Sequence, residues 1–387
     1  MASCKSVYEP QEDSTMLERY VRQYAKGKVL DVGTGSGIQA IAAAQSSKVD
    51  SVLATDIQLG VIEYCRKNIK SKKIRFLQSD LFHSIKGKFD VVIFNPPYLP
   101  QELKLKDLTI ESGKKGYEVI ERFLKDVNNY LNPDGIILMV FSSLTKKGKV
   151  EEFIKNNLLD FQELEKMHIF FEDIFVYLLR KNDLLKKLEN NGIKNVRYLA
   201  KGHRGLLFTG NYKGKKVAVK AKNPESRAVG RIENESKWLK KLNKHKIGPK
   251  LLFSSGDFFI YAFIEGDFIV DYLKKENKNQ VKKILREIFE QMRRLDGLKI
   301  DKEEMHHPLK HVIVSKNKAY LLDFERAHYS QNPKNVTQFC QFLTGGHLTE
   351  ILLNKQIKLG KNKVRSLAKI YKKEQNDINL NKITGLL

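Results

Sequence analysis

Apolar residues in the first half of the chain fall in short unbroken runs, KVLDV, SVLATDI, IRFLQ and VVIF, with intervening stretches in which apolar positions recur every three or four residues. The runs read as buried strands and the stretches as helices, and their alternation predicts a parallel, doubly wound α/β sheet. In order, the pattern predicts a helix over 14–24 capped by Asp13 or Ser14, a strand over 28–31, a loop with glycines at 33, 35 and 37, and a small-residue helix over 38–44. Strands leading to Asp56, Asp80 and Asn95 follow. A helix over 116–130, a turn at 132–135, a strand over 136–141, a helix over 149–156 and a strand over 169–179 complete the series.

Beyond residue 181 the period changes. A polar stretch over 181–194 with helically spaced leucines reads as a connecting helix, and strands are then expected over 196–201, 206–212 and 216–220. A helix over 232–243, an apolar run before Asp323 and a helix over 336–343 come next. The predicted organisation is therefore an α/β domain over 1–181, a linker over 182–194 and an α+β domain over 195–387 with basic C-terminal helices. At 387 residues the chain is long for one core, which agrees with that division.

Charge sharpens the contrast. The whole chain carries +25, yet residues 1–181 hold 27 Lys and Arg against 24 Asp and Glu, leaving 43 against 21 for the rest. The polyanion-attracting field thus belongs to the second half, and contact with the ribosome or RNA is one reading of it; a solvated lysine-rich face is the other. Cys4, Cys65 and Cys340 are scattered and form no metal or disulfide pattern. No apolar run reaches membrane-spanning length and no signal core opens the chain, so a soluble, cytoplasmic protein without membrane contact is expected.

The chemistry is expected at Asn95-Pro96-Pro97-Tyr98, where two prolines end an apolar strand. The Asn95 side-chain oxygen and the Pro96 carbonyl can accept both N–H bonds of a planar NH2 group, while Tyr98 stacks on its plane. Such a nitrogen is activated by orientation and preorganised dipoles, its proton leaving after alkylation, so no strong base is required. A glutamine amide and an adenine amine present the same face, and both remain open at this point. Asp56 is placed for ribose hydroxyls and Asp80 for an adenine amine.

YEPQEDS, VLDVGTGSG and FNPPY together resemble the class I S-adenosylmethionine methyltransferases, and among them the HemK-like glutamine N5-methyltransferases of the archaeal and eukaryotic release-factor branch. The resemblance implies that Tyr8, Glu12, Asp31, Gly33, Gly35, Asp56, Asp80 and Asn95 surround S-adenosylmethionine, and that Asn95, Pro96 and Tyr98 hold the amide. It further implies a class-I translation termination factor bearing GGQ as protein substrate, and a small zinc-ribbon activator subunit as a common companion. An adenine in RNA or DNA is the competing acceptor; duplex would require base flipping, for which this near-neutral domain has no evident insertion.

In the second half, KGHRG followed by KVAVK, with Glu235 on the next helix and AYLLDFER further on, resembles the small atypical protein kinases of the RIO-like and Kae-associated kinds over roughly 195–345. The resemblance implies ATP and Mg2+: Gly202 and Gly205 over the phosphates, Lys220 paired with Glu235, and Asp323 on the metal. The sequence departs where a catalytic Asp and Asn are usual, reading EEMHHPLKHVIV. Glu304 is placed as a base if the loop is longer by two, and His311 as a metal ligand. Loss of phosphoryl transfer, leaving a nucleotide- or RNA-binding module, is the alternative. Pro308 argues against a separate metal pair from His307 and His311.

Overall fold

A computed structural model of the chain describes residues 9–97, 116–201, 205–223 and 230–387. They form two compact units, Met1–Tyr198 and Leu199–Leu387.

The first unit runs α1 (Glu12–Tyr24), β1 (Gly27–Val32), α2 (Ile38–Ala44), β2 (Val49–Asp56), α3 (Leu59–Asn68), β3 (Ile74–Gln78), β4 (Phe89–Phe94), α4 (Glu118–Val127), β5 (Leu131–Ser142), α5 (Lys147–Asn156), β6 (Leu159–Ile169), β7 (Glu172–Lys181) and α6 (Asp183–Asn190). Its seven strands lie in the order β3-β2-β1-β4-β5-β7-β6. The pairings from β3 to β5 are parallel, and β7 and β6 close the edge antiparallel. That departs from a wholly parallel sheet. Only Phe170 and Phe171 separate β6 from β7, and so short a link permits only a hairpin.

Alternate residues of β1, β4 and β5 feed two cores, as the period of two in a strand requires. Leu30, Val32, Val92, Phe94, Ile137 and Met139 meet the apolar stripe of α4, Ile120, Phe123, Leu124 and Val127, on one face. Val29, Val91, Ile93, Leu138 and Val140 meet α1 and α2 on the other, where the alanines of α2 fit closely. Strand order reverses between β1 and β4. The crevice at their carboxyl ends is where open α/β sheets hold ligands.

Several predicted elements are corrected. Helix α1 starts at Glu12 with Gln11 as its N-cap, so Asp13 and Ser14 lie inside its first turn rather than capping it. The turn at 132–135 is a wide bulge carried inside β5: Leu131 pairs with Phe89 and Ile136 with Val91, and Asn132 donates to Asp90 Oδ1 at 2.7 Å. Strand β6 was not legible, because its charged outward positions mask the alternation. The expected connecting helix is present as α6, and it packs on the first unit: Leu185 and Leu188 are buried, and Glu189 accepts from the buried Lys181 at 2.7 Å.

The second unit's sheet draws on β8 (Ile193–Lys201), β9 (Gly205–Tyr212) and β10 (Lys215–Lys222); α7 (Arg231–Asn243) precedes β11 (Leu251–Ser254) and β12 (Phe258–Ala262). The sheet order is β11-β12-β10-β9-β8. The rest comprises β13 (Asp267–Phe268), α8 (Ile269–Lys275), α9 (Lys278–Gly297), β14 (Ile300–Asp301), β15 (Val312–Ser315), β16 (Lys318–Leu321), β17 (His328–Tyr329), α10 (Asn335–Leu343), α11 (Gly346–Asn354), α12 (Lys361–Lys373) and α13 (Asp377–Thr384). Helix α9 centres this part, burying Val281, Ile284, Leu285, Ile288, Phe289, Met292 and Leu295 at helical spacing. At its end Asp296 accepts from Asn335 Nδ2 at 2.8 Å and from the Tyr371 hydroxyl at 2.9 Å, tying α10 and α12 to it. Among the described residues no helix is long and apolar enough to cross a membrane.

Candidate active site

In the first unit the site grows from the ends of β1, β2 and β4. After β1, Gly33, Gly35 and Gly37 all take left-handed φ, which glycine adopts without strain. They turn the chain so that α2 begins beneath the loop. Asp31 is buried at the strand end and accepts from Thr34 Oγ1 at 2.6 Å. Burial raises its carboxyl to about 7, against the pull of that hydrogen bond. Asp56, at the end of β2, accepts from Gly35 N at 3.2 Å and Gln58 N at 3.0 Å, so it ties the glycine loop to the start of α3. Its carboxyl is also raised, by burial first.

A carboxyl that can be drawn to a ligand ammonium, a second beside the loop for ribose hydroxyls, and a glycine turn that lets backbone approach make a donor and acceptor set that fits S-adenosylmethionine. Bound there, that cofactor supplies an electrophilic methyl group. Ile57 follows Asp56 and is 59% exposed, an apolar side chain on which a flat base can lie. Asp80 stands after β3, exposed and paired with Arg122 at 2.7 Å.

Asn95 follows β4 directly. A Cβ added at Gly33 would stand 3.9 Å from the Asn95 carbonyl oxygen, so the cofactor loop and the Asn-Pro-Pro turn are neighbours. Pro96 is buried and Asn95 half-buried. The Asn95 Nδ2 donates to Asp13 Oδ2 at 3.0 Å and to Ser14 Oγ at 3.3 Å. Glu12, expected to line the site, is exposed, while the two residues after it meet Asn95. Tyr8 and Tyr98 lie outside the described residues, as does Gly202 in the second half.

In the second unit Lys220 of β10 reaches Glu235 of α7 at 2.5 Å and Asp323 at 3.1 Å. Burial alone would lower the Lys220 ammonium, but the two carboxylates outweigh it and hold the group protonated. Asp323 is correspondingly lowered, chiefly by Lys220 acting against burial. A side chain at Gly205 would meet the Lys220 stem at 3.4 Å, so the hairpin glycine lets β9 lie against the lysine. Glu304 pairs with Arg326 at 2.7 Å and lies 3.9 Å from His311 Nε2. Oxygens of Glu235, Asp323 and Glu325 gather within 4.8 Å of one another; His311 is not among them.

Two features of this second site were not read from the sequence. Lys302 is buried, donates to the Asp323 carbonyl at 2.9 Å and stands 3.4 Å from His311 Nδ1; burial lowers its ammonium to about 8. Glu303, Glu304 and Asp323 all hold left-handed φ without being glycine. A search for catalytic acids passes over a lysine two positions upstream, and side-chain identity does not encode φ at non-glycine residues.

Residues 9–171 match the family described as "Methyltransferase small domain". Over 179 residues the chain is 35% identical to a protein of Methanocaldococcus jannaschii whose naming as a protein N5-glutamine methyltransferase is itself provisional; the match covers 44% of this chain and 89% of that one. A release factor glutamine methyltransferase of Rhodopirellula baltica is 36% identical over 132 residues, covering 30% of this chain and 45% of that protein. The chain thus spans less than half of that bacterial relative. Among solved structures, the E. cuniculi Mtq2-Trm112 complex responsible for methylation of the eRF1 translation termination factor aligns with 46% of this chain and 99% of its own, at 25% identity and a TM-score of 0.38. By its likeness to the Methanocaldococcus protein, the chain belongs, through its first unit, to the S-adenosylmethionine-dependent protein N5-glutamine methyltransferase family.

Proposed function

We propose that the first unit transfers a methyl group from S-adenosylmethionine to N5 of the GGQ glutamine in a class-I translation termination factor, in the cytoplasm. One observation carries the reading: Asn95 sits at the end of β4 against the glycine loop, in a chain related to N5-glutamine methyltransferases. An amide nitrogen is a poor nucleophile because its lone pair is delocalised. Asn95 Oδ1 and the Pro96 carbonyl oxygen accept its two N–H bonds and hold the nitrogen facing the methyl group. One N–H proton is lost to water once the N–C bond has formed, so the site needs dipoles rather than a base. The test is transfer of labelled methyl to a GGQ-bearing termination factor, its Gln→Ala variant, DNA and RNA, with and without a small zinc-ribbon activator. Label that requires both the glutamine and Asn95 is the expected result; label only in nucleic acid overturns it in favour of adenine.

The second unit, on this proposal, is an atypical protein-kinase-like domain that binds ATP and Mg2+. The support is the Lys220 ammonium between Glu235 and Asp323, with Gly205 beside it. ATP-dependent phosphorylation, abolished by Lys220→Ala and Asp323→Ala in the full chain, is the expected outcome. Salt-sensitive RNA binding with no ATP binding would replace this reading with a docking role for the basic half.

A further inference from the structure

An asparagine amide has two unlike ends, an oxygen that accepts and a nitrogen that donates. Asn95 serves an incoming NH2 group only with the oxygen outward. With the nitrogen outward it would welcome a carboxylate, and glutamate would compete with glutamine. Something must therefore fix the flip.

The first turn of α1 does so. Asp13 and Ser14 are almost fully buried, 3% and 2% exposed, and both face the Asn95 nitrogen. A carboxylate oxygen only accepts, so an Asn95 turned the other way would set two acceptors against each other in a buried place. The turn is itself anchored. Asp13 Oδ1 accepts the Ser14 N–H at 2.6 Å, and Gln39 of α2 donates to the Ser14 carbonyl at 2.8 Å. The helix launched by the glycine loop thus grips α1, and α1 grips the asparagine.

We infer that Asp13, assisted by Ser14, is a positioning residue that locks the Asn95 amide with its oxygen outward and so makes the site select an NH2 group over a carboxylate. This rests on the reading of Asn95 as the acceptor for the substrate amide.

Two measurements on the full chain test it. The first is the side-chain amide resonance of Asn95 by NMR, identified by its loss in Asn95→Ala. In the wild type its protons exchange slowly, and in Asp13→Asn they exchange at least about 10-fold faster with a shifted resonance. The second is kinetic. Asp13→Asn lowers kcat about 10- to 100-fold with the S-adenosylmethionine dissociation constant unchanged, and adding it to Asn95→Ala costs nothing more. In parallel, a GGE acceptor, excluded by the wild type, becomes a competitive inhibitor of Asp13→Asn.

An unaltered Asn95 resonance in Asp13→Asn overturns the inference whether or not any acceptor has been found. So does a kcat within twofold of wild type, or an additive double variant. Should Asp13→Asn fail to fold, Ser14→Ala carries the same readouts at a smaller amplitude, about threefold. Wild-type transfer that ignores Asn95 would instead defeat the underlying assignment of the amide site.

Discussion

The two candidate sites meet buried charge in opposite ways. In the first, Asp31 and Asp56 are met by a hydroxyl and by backbone N–H groups, and burial raises both carboxyls, that of Asp31 to about 7. In the second, Lys220, Glu235 and Asp323 meet as ions, with Lys302 at the Asp323 carbonyl. The first arrangement leaves negative charge to be completed by a cationic ligand. The second is largely complete in itself, so a ligand there must displace an ion pair to gain a contact. A methyl donor that carries positive charge suits the former, whereas the nucleotide and metal proposed above for the second unit would have to open the Lys220 pairs.

The strongest way to break this comparison is at Asn95. Removing a preorganised transition-state acceptor costs about 10²- to 10³-fold in rate. Asn95→Ala should lose at least that much methyl transfer while calorimetry finds cofactor affinity intact; a parallel loss of affinity would make Asn95 a cofactor ligand only. Next, Lys220→Met leaves two carboxylates buried without their cation, at a cost of about 3–5 kcal/mol. Trp238 on α7 is the only tryptophan, so its fluorescence during urea unfolding reports this unit. Lys220→Met/Glu235→Leu should recover part of the loss, and an equal loss in both would deny that the ion pair is the cause.

A pH experiment sharpens the other side. Burial raises Asp31 from 3.8 to about 7, so between those values the folded chain keeps a proton that the unfolded chain has released. Stability must therefore fall as pH rises through that window and level off above it. Asp31→Asn should slow hydrogen exchange of the β1 amides at pH 8, by roughly 2–4 kcal/mol, and make no difference near pH 4. An equal effect at both pH values would show that titration of Asp31 is not responsible. Smallest of all, Asp80→Ala removes an exposed ion pair with Arg122 and should cost less than about 1 kcal/mol of stability, with cofactor affinity as the second readout. A tenfold loss of affinity would give Asp80 a direct cofactor contact.

Apart from the Lys220, Glu235 and Asp323 set, which a resemblance brought together across 103 residues, legibility followed sequence distance. The segment from β1 through the glycines into α2 was readable because strand, turn chemistry and helix are contiguous; α2 occupies the predicted residues. Asn95 stood out because two prolines mark the strand end. Asp13 did not, since its partner lies 82 residues away and an acid at a helix start looks like a cap. Lys302 was hidden for a related reason: it bonds the carbonyl of Asp323, and backbone acceptors leave no mark on residue type. The bulge at 132–135 carried turn residues that served a different geometry.

That separation between Asp13 and Asn95 also fixes when the site comes into being. A bond spanning 82 residues closes only after the strands between them have been laid side by side, and such non-local closure is slow compared with forming a helix. During refolding, helical circular dichroism should therefore recover well before methyl transfer does. For a chain emerging from the ribosome the same delay applies: α1 is made early and can meet α2, yet it cannot hold Asn95 until β4 has been synthesised and paired. Activity in this protein is a clock for the docking of β4 beside β1.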